Sequence, residues 1–262
     1  MNRPVIHVKN LTKRFGDHEA VRGISFSVAR GERFAFLGPN GAGKSTTISM
    51  LTTVLRRTSG EALLAGLDPE VDPYEVRRNF GIVFQDSSHD EDLTAFENML
   101  FHGLLYGLST AEARQKSEEA LRYVDLWDRQ KDRLRTFSGG MKRRLEIARA
   151  LLHQPKILFL DEPTLGLDPQ TRNYLWNYVT KLSEEDGMTV FFTTHYMQEA
   201  ELYADRIAVI DEGEIKAMGT LPELLNTTGS TTLEEAFLEL TGRTLRDESG
   251  ASDSLARSRK LR

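Results

Sequence analysis

The amino-acid sequence predicts an α/β fold in which helices cover a mostly parallel sheet. Apolar runs of strand length alternate with helical patterns, and the clearest runs are RFAFL, FGIVF, KILFL, TVFFTT and RIAVI. This alternation is typical of parallel sheets, because two parallel strands are usually joined by a helix. From residue 90 to about 150 the pattern is helical with almost no strand signal, which predicts a helical insertion into the α/β body.

The composition indicates a globular protein with a hydrophobic core. The chain has 262 residues, of which 39% are hydrophobic and 28% charged, enough for one large domain or two small ones. No apolar run approaches the roughly 18 residues that span a bilayer, and the first residues lack the apolar core of a signal peptide. The absence of cysteine excludes disulfides and thiolate metal sites and suits a cytosolic protein. A net charge of -5 argues against a general nucleic-acid binder.

The first half of the chain carries a group of predicted strands. We expect strands at residues 5–8, 24–28, 33–37 and 80–84, and a helix at residues 45–55. In the inserted segment, two Ser/Thr–x–x–Glu sets have the spacing of a capping box and predict helix starts: Thr94 with Glu97, and Ser109 with Glu112.

Strands and helices alternate again beyond residue 156. Near the end of the chain, Thr232 with Glu235 predicts the cap of a short helix, LEEAFLELT. From about Asp247 the tail is polar and is expected to be disordered. We therefore predict one domain over residues 1–220, with the helical insertion at about 90–150, followed by a C-terminal segment at 221–262.

A phosphate-binding loop is the most informative motif. Residues 38–45 read GPNGAGKS and match the pattern G-x-x-x-x-G-K-[ST], in which the lysine reaches the β- and γ-phosphates and the serine ligates Mg²⁺. A strand before the loop and a helix after it place the phosphate at the positive end of the helix, which disfavours a glycine-rich turn without a ligand. The predicted nucleotide-binding residues are Gly38, Pro39, Asn40, Gly41, Ala42, Gly43, Lys44, Ser45 and Thr46.

Chemically useful residues follow three further strands. Gln85 follows FGIVF, Asp161 and Glu162 follow KILFL, and His195 follows TVFFTT. Ligands of parallel sheets bind beyond the carboxyl ends of the strands. We expect Asp161 to hold Mg²⁺ opposite Ser45, and Glu162 to orient or deprotonate the attacking water. Each of these residues alone could simply end a strand. A functional role for Gln85 and His195 is supported only because they lie at the same edge of the sheet as the other residues.

A second anion-binding helix start is predicted at Ser138, Gly139 and Gly140. The helix that follows, MKRRLEIARALL, has an apolar stripe at Met141, Leu145, Ala148 and Leu152. A glycine-rich helix N-terminus can bind an anion, although taken alone an ordinary N-cap without a ligand is the simpler interpretation. We expect Lys142, Arg143 and Arg144 to form a solvated face of this helix in preference to a nucleic-acid-binding patch.

Taken together, these motifs resemble the ATP-binding cassette (ABC) family over roughly residues 5–219. GPNGAGKST resembles the Walker A motif, Gln85 the Q-loop glutamine, FSGGM the family signature, ILFLDE the Walker B motif and His195 the switch histidine. Leu167 and Asp168 resemble the D-loop, which communicates across the dimer. Phe15 matches the aromatic position that stacks on adenine, and a core-packing role for it is nearly as plausible.

The family resemblance implies a P-loop NTPase (RecA-like) core with an N-terminal antiparallel β subdomain and an inserted α-helical subdomain. It also implies Lys44, Glu162 and His195 as catalytic residues, Ser45, Gln85 and Asp161 around Mg²⁺, and two ATP bound between two subunits. Each ATP would lie between the Walker A motif of one subunit and Ser138, Gly139 and Gly140 of the other.

A separate membrane permease is the further partner that the resemblance implies, with this chain peripheral on the cytoplasmic face of the membrane. Residues 85–106 would face the permease. Phe96, Met99 and Phe101 are candidates for that contact, and subdomain core is their default interpretation.

Three residues depart from the commonest family pattern: Phe137 replaces Leu, Met141 replaces Gln, and Gly166 replaces Ser. None removes a phosphate-binding amide or a catalytic acid, so we expect activity to survive. The segments TFSGGMKRRLEIARALL, THYMQEAE and LEEAFLELTG most resemble ATPase subunits of daunorubicin-resistance exporters, and related subunits export polysaccharide, sodium or other substrates.

Two alternative functions are weaker. A soluble cassette ATPase acting on ribosomes or DNA is disfavoured by the single cassette, the short helical insertion and the acidic balance. A nucleotide-binding regulator without turnover is disfavoured because Asp161, Glu162 and His195 are all present.

Overall fold

Two sheets form the body of the protein in the computed structural model, which describes residues 4–86 and 88–242. The strands are β1 (Ile6–Phe15), β2 (His18–Val28), β3 (Arg33–Leu37), β4 (Ser59–Leu64), β5 (Phe80–Val83), β6 (Ile157–Asp161), β7 (Thr189–Thr194), β8 (Arg206–Asp211) and β9 (Glu214–Gly219). The helices are α1 (Lys44–Leu51), α2 (Pro73–Arg77), α3 (Ala95–Leu105), α4 (Thr110–Tyr123), α5 (Gly139–Ala150), α6 (Pro169–Asp186), α7 (Met197–Tyr203), α8 (Leu221–Thr228) and α9 (Leu233–Thr241). The polar tail predicted from Asp247 lies outside the described residues.

The larger sheet is mostly parallel, as predicted. Its order in the described chain is β5-β6-β7-β3-β8-β9, and only the β8–β9 pair is antiparallel. Strands β5, β6, β7 and β3 are neighbours, and these are the four strands that the sequence analysis connects to chemistry. Because they run parallel, their carboxyl ends meet at one edge, so the spatial convergence predicted from the sequence is confirmed.

The N-terminal strands form the antiparallel sheet that the family resemblance implies. Its order is β2-β1-β4, and β1 pairs with β2 as a long hairpin that closes at Phe15 opposite His18. The apolar runs predicted only the ends of this hairpin. Register shifts between Val8 and Leu11 interrupt the alternation, and Asn10 has a left-handed backbone with φ 49°, a departure from regular pairing typical of a β-bulge.

Aromatic packing joins the two sheets. The rings of Phe26 on β2, Phe34 and Phe36 on β3, and Phe191 on β7 have centroids between 5.4 and 6.3 Å apart. Aromatic pairs in this range contribute about 1 kcal/mol each beyond the area they bury. This cluster fixes the small sheet on one face of the large one, and so fixes the β1–β2 turn relative to the strand edge.

The inserted segment folds as the predicted helical subdomain. Thr94 with Glu97 and Ser109 with Glu112 form the predicted capping boxes of α3 and α4. The predicted stripe on α5 is also confirmed, because Leu145, Ala148 and Leu152 are buried in the subdomain core and Met141 packs against it. Among the described residues, no helix combines the length and apolar composition needed to cross a bilayer.

Residues 221–242, the described part of the C-terminal segment, pack on the α/β body. Helix α9 begins after the predicted cap Thr232, and its residues Leu233 and Phe237 are buried in the core. The Leu233 amide donates to Glu201 Oε1 of α7 at 3.3 Å. Helix α8 precedes it and has a capping box of its own, which the sequence analysis missed.

A group of aromatic and imidazole rings joins the helical subdomain to β5. His153, which follows α5, bonds the Phe80 carbonyl through Nε2 at 2.9 Å and stacks on Tyr106 with centroids 3.9 Å apart. His102 on α3 packs against Tyr106 at 4.7 Å, and its Nε2 is buried without a hydrogen-bond partner. Burial, with Arg149 and His153 adding to it, lowers the pKa of His102 to about 3.

This histidine predicts a pH-dependent stability. In the unfolded chain His102 takes up a proton near pH 6.5, whereas the folded protein resists protonation down to about pH 3. Stability is therefore lost as pH falls below 6.5, by about 1–2 kcal/mol from this residue at pH 5. We expect His102→Gln to lose less free energy of unfolding than the wild type between pH 7.5 and 5.0, measured by urea titration.

The matched control is the exposed His18. His18→Gln makes the same substitution at a side chain outside the ring cluster, and it shows whether the smaller pH dependence is specific to His102. Equal pH dependence in the wild type and in His102→Gln would contradict the assignment of His102 as a buried neutral imidazole.

Candidate functional site

The phosphate-binding loop runs between β3 and α1 and closes on the neighbouring strands. Gly43 has φ 101°, and a Cβ on it would lie 2.6 Å from the Ala20 carbonyl oxygen. A Cβ on Gly38 would lie 2.1 Å from the Ile210 carbonyl oxygen. Both contacts are impossible for a side chain, so these two glycines are required by the fold of the loop itself. The predicted strand, loop and helix are all present, with α1 beginning at Lys44 and ending at Leu51.

Lys44 is held in a buried position by three acceptors. Its Nζ donates to the Gly38 and Pro39 carbonyl oxygens at 2.7 and 3.0 Å, and lies 3.1 Å from Glu162 Oε1. The side chains of Lys44 and Glu162 are only 5% and 6% exposed. Removal of one partner would leave the other charge buried and unpaired, a cost of about 3–5 kcal/mol. The loop lysine and the predicted base are therefore fixed relative to each other.

Side-chain oxygen atoms converge on the side of the loop that faces β6. Ser45 Oγ donates to Asp161 Oδ1 at 3.0 Å, and Thr193 Oγ1 donates to the same oxygen at 2.6 Å. The Thr193 hydroxyl also accepts the Glu162 amide at 2.9 Å. Thr193 thus orients both acids from the adjacent strand. Thr193 is not among the predicted site residues, although its place in the TVFFTT run, just before Thr194 and His195, is a signal that could have indicated it.

Glu162, which the sequence predicts to orient or deprotonate the attacking water, forms a pair with His195. His195 Nδ1 and Glu162 Oε2 are 2.5 Å apart. Burial raises the pKa of Glu162, but the hydrogen bond from His195 and the charge of Lys44 lower it more, so the pKa lies below its ordinary value. An ionised carboxylate only accepts hydrogen bonds, so Nδ1 carries the proton in this contact. Glu162 is therefore a carboxylate at neutral pH.

A cavity of about 480 Å³ joins Lys44, Ser45 and Glu162 to Phe15 and Gln85. The cavity is lined by Phe15, Pro39, Asn40, Gly41, Gly43, Lys44, Ser45, Thr46, Gln85 and Glu162, together with His18 and Ala20. Phe15 is 48% exposed, so the core-packing interpretation of this residue is wrong. An exposed ring at the β1–β2 turn can stack on a planar base.

A second cavity, of about 580 Å³, lies at the N-terminus of α5. It is lined by Ser138, Gly140, Met141 and Asp168 among others, and it shares no lining residue with the first cavity. Ser138 Oγ caps the helix by accepting the Met141 amide at 3.3 Å. The predicted glycine-rich helix start at Ser138, Gly139 and Gly140 is therefore present. It lies in a different cavity from the phosphate-binding loop of the same chain.

Asp168 closes one side of this second cavity. Its Oδ1 accepts the Thr171 amide at 3.0 Å and its Oδ2 accepts the Thr171 hydroxyl at 2.6 Å, which begins α6. These bonds lower the pKa of Asp168. Gly166, where the family commonly has Ser, has φ 74°, a conformation that favours glycine. Phe137, the other departure nearby, is buried in the helical subdomain, so both departures concern local structure.

The predicted solvated face of α5 is wrong for Arg143. This side chain is only 7% exposed and donates to carbonyl oxygens at the ends of β5 and β6. The apolar stripe of α5 predicts that Arg143 lies on the opposite, polar side of the helix, since charged side chains are mostly exposed. Arg144 also departs from a solvated face by donating to the Val124 carbonyl at 2.9 Å.

A parallel sheet with a phosphate-binding loop, an oxygen-lined pocket and a buried carboxylate–histidine pair at one edge defines a P-loop nucleotide hydrolase. The comparisons with known proteins narrow this class. Residues 21–165 match the family model described as ABC transporter.

Two relatives and one solved structure agree with that match. The linearmycin resistance ATP-binding protein LnrL of Bacillus subtilis is 45% identical over 242 residues, covering 89% of this chain and 78% of that protein. The daunorubicin/doxorubicin resistance ATP-binding protein DrrA of Streptomyces peucetius is 46% identical over 228 residues, covering 87% and 69%. A dimeric ATP-binding cassette in a post-hydrolysis state, bound to ADP and Pi, matches with a TM-score of 0.74 and 30% identity, covering 82% and 98%.

The chain belongs to the ABC transporter family and is an ATP-binding, ATP-hydrolysing subunit of such a transporter. The fold predicted from the family resemblance, including the antiparallel and helical subdomains, is confirmed by the structure and by this match.

Proposed function

We propose that this chain drives an exporter of drugs or of other hydrophobic or polymeric substrates, acting through a separate membrane permease. The observation that carries the ATPase part is the convergence of Lys44, Ser45, Asp161, Glu162 and His195 at one strand edge. The drug-resistance names of LnrL and DrrA support the choice of substrate class. They also favour an exporter over the alternative of an ATPase acting on ribosomes or DNA.

Magnesium fits the oxygen donors of this site. Ser45 Oγ and Asp161 Oδ1 lie 3.0 Å apart, and Mg²⁺ prefers hydroxyl, carboxylate and phosphate oxygens. When bound, the ion would neutralise charge that develops on the phosphates. Ser45 and Asp161 would hold it, with Gln85 at the wall of the same cavity.

In this mechanism the chain's own residues bind the phosphates and orient the attacking water. Lys44 binds the β- and γ-phosphates, and the amides of the loop at the positive end of α1 surround them. Glu162 accepts the proton of the attacking water, because it is ionised and buried beside the phosphates. His195 holds the Glu162 carboxylate through Nδ1 and contributes to sensing the γ-phosphate.

The two separate cavities support a dimer in which each site is formed by two subunits. The helix end at Ser138, Gly139 and Gly140 shares no lining residue with the loop cavity of its own chain. It is therefore suited to the γ-phosphate bound by a second copy, with Asp168 beside it at the subunit boundary. The matched cassette is itself a dimer.

An apolar surface on α3 is the proposed contact with the permease. Phe101 is 52% exposed, Leu104 38% and Leu105 83%. Met99 is fully buried and Phe96 packs against the subdomain core. Of the three candidates in the sequence, only Phe101 is thus placed on a surface. Three exposed apolar side chains on one short helix favour burial by a partner.

Co-purification tests this function. We expect the tagged chain to recover a multi-helix permease that has no nucleotide site of its own. Leu105→Glu should lower that recovery several-fold while ATP turnover of the isolated chain stays normal. Leu202→Glu, at a residue of α7 that is 72% exposed, is the control and should recover the permease normally. Recovery of ribosomes or DNA without a membrane protein would contradict the proposal.

A further inference from the structure

Arg143 connects the signature helix α5 to the hydrolytic edge. Its Nε donates to the Pro163 carbonyl at 2.7 Å, and its Nη1 donates to the Phe84 carbonyl at 2.6 Å. Its Nη2 lies 3.3 and 3.4 Å from the carbonyl oxygens of Asp161 and Glu162. One guanidinium therefore bonds the segment that leads into Gln85 and the segment that carries both acids.

The charge of Arg143 is balanced within the same helix. Glu146 Oε2 accepts from Arg143 Nη1 at 3.0 Å, and Glu146 Oε1 also accepts the Ser88 amide at 3.2 Å. Burial lowers the pKa of Arg143, and Glu146 offsets part of this effect. The ion pair thus lets a guanidinium lie 7% exposed beneath the catalytic strand end.

The backbone of Glu162 needs the support of these hydrogen bonds from Arg143. Its backbone has φ 49°, in the left-handed region, which costs a non-glycine residue about 1–2 kcal/mol. Strained conformations persist at functional sites when the surroundings fix them. Here the amide of Glu162 is held by Thr193 Oγ1 at 2.9 Å, while its carbonyl and those of both neighbouring residues face Arg143.

We propose that Arg143 is a positioning residue for hydrolysis: it fixes the left-handed backbone of Glu162 and the entry to the Gln85 segment onto α5. This inference rests on the proposed function, in which the N-terminus of α5 meets the partner's γ-phosphate. When the N-terminus of α5 contacts the γ-phosphate bound by the partner, a movement of α5 is transmitted through Arg143 to Glu162, the base of the same chain. A purely structural arginine would need only its pairing with Glu146, whereas this one bonds three consecutive carbonyls.

A conservative substitution separates these roles. Lys keeps the charge of Arg143 but lacks the planar fork that serves several acceptors at once. We expect Arg143→Lys to lower kcat at least tenfold, because a shift of the base by about 1 Å can cost about 10²-fold. The KM for ATP and the ATP dissociation constant should change by less than about twofold, since phosphate-binding residues are untouched.

The matched control is Arg149→Lys on the same helix. Arg149 is half-buried and donates to the Ser88 carbonyl, at 3.0 Å, and to the hydroxyl of the same residue. Arg149→Lys should keep the wild-type kcat. All rates are expressed per ATP-binding site, so that a fall in folded protein alone leaves kcat unchanged.

If Arg143→Lys fails to fold, Arg143→Gln with Glu146→Gln removes both charges together, and we expect the same loss of kcat at normal ATP affinity. A wild-type kcat per binding site in either variant would overturn this inference. Absence of ATP turnover in the wild type would instead contradict the proposed function, so the two failures are distinguishable.

Discussion

Replacing Glu162 with glutamine is expected to lower ATP turnover by about 10²–10⁴-fold, the range that general base catalysis contributes. Gln has nearly the same shape, but its single carbonyl oxygen replaces only one of the two oxygens that face His195 and Lys44, and it cannot take a proton from water. Because binding uses the loop amides and Lys44, the ATP dissociation constant should stay close to the wild-type value. Phosphate release and equilibrium ATP binding measure the two quantities separately.

The same variant should accumulate as a closed dimer with ATP, because in the proposed function the dimer reopens after hydrolysis. Size-exclusion chromatography with ATP and Mg²⁺ checks this. Glu184→Gln is a control of identical chemistry on an acid whose side chain is 66% exposed, and it should hydrolyse ATP normally. Unimpaired turnover in Glu162→Gln would remove Glu162 from the role of base.

The larger part of this site could be predicted from the sequence because it depends on strand ends. Once Asp161, Glu162 and His195 are assigned to the ends of parallel strands, the topology brings them together without any knowledge of side-chain contacts. The same reasoning places Ser45 near Asp161, and the structure has them in hydrogen-bond contact.

The groups that hold the site in place could not be predicted in this way. Thr193 and Arg143 act through backbone carbonyls, amides and acid oxygens whose positions depend on the packed fold. Arg143 carries a charge, and a charged residue is predicted to lie on the surface unless the sequence also indicates the buried groups with which it pairs. The long β1–β2 hairpin was missed for a related reason, since the shifted register near Asn10 breaks the alternation of a strand.

The two anion-binding helix ends of one chain predict complementation between two inactive variants. Lys44→Ala should abolish turnover by removing the phosphate-binding ammonium, and Ser138→Arg should abolish it by filling the cavity at the start of α5. In the proposed homodimer, each variant alone has the same defect in both sites. In a mixed dimer, the intact loop of the Ser138→Arg subunit faces the intact Ser138 of the Lys44→Ala subunit, so one complete site is restored.

Mixing the two purified variants therefore gives a direct measurement of which chain completes the site. At equal amounts, random pairing makes about half of the dimers mixed, each with one of two sites intact, so about a quarter of wild-type turnover is expected from a head-to-tail arrangement. A mixture of Ser138→Arg with Ser138→Arg/Lys44→Ala is the control, because it provides no intact Ser138. If each site used Ser138 of its own chain, mixing would restore nothing, because every chain would carry a broken site. If the first mixture shows no recovery of turnover and no occluded nucleotide, that result contradicts the composite site. Recovery would show that this phosphate-binding loop is completed by a second subunit.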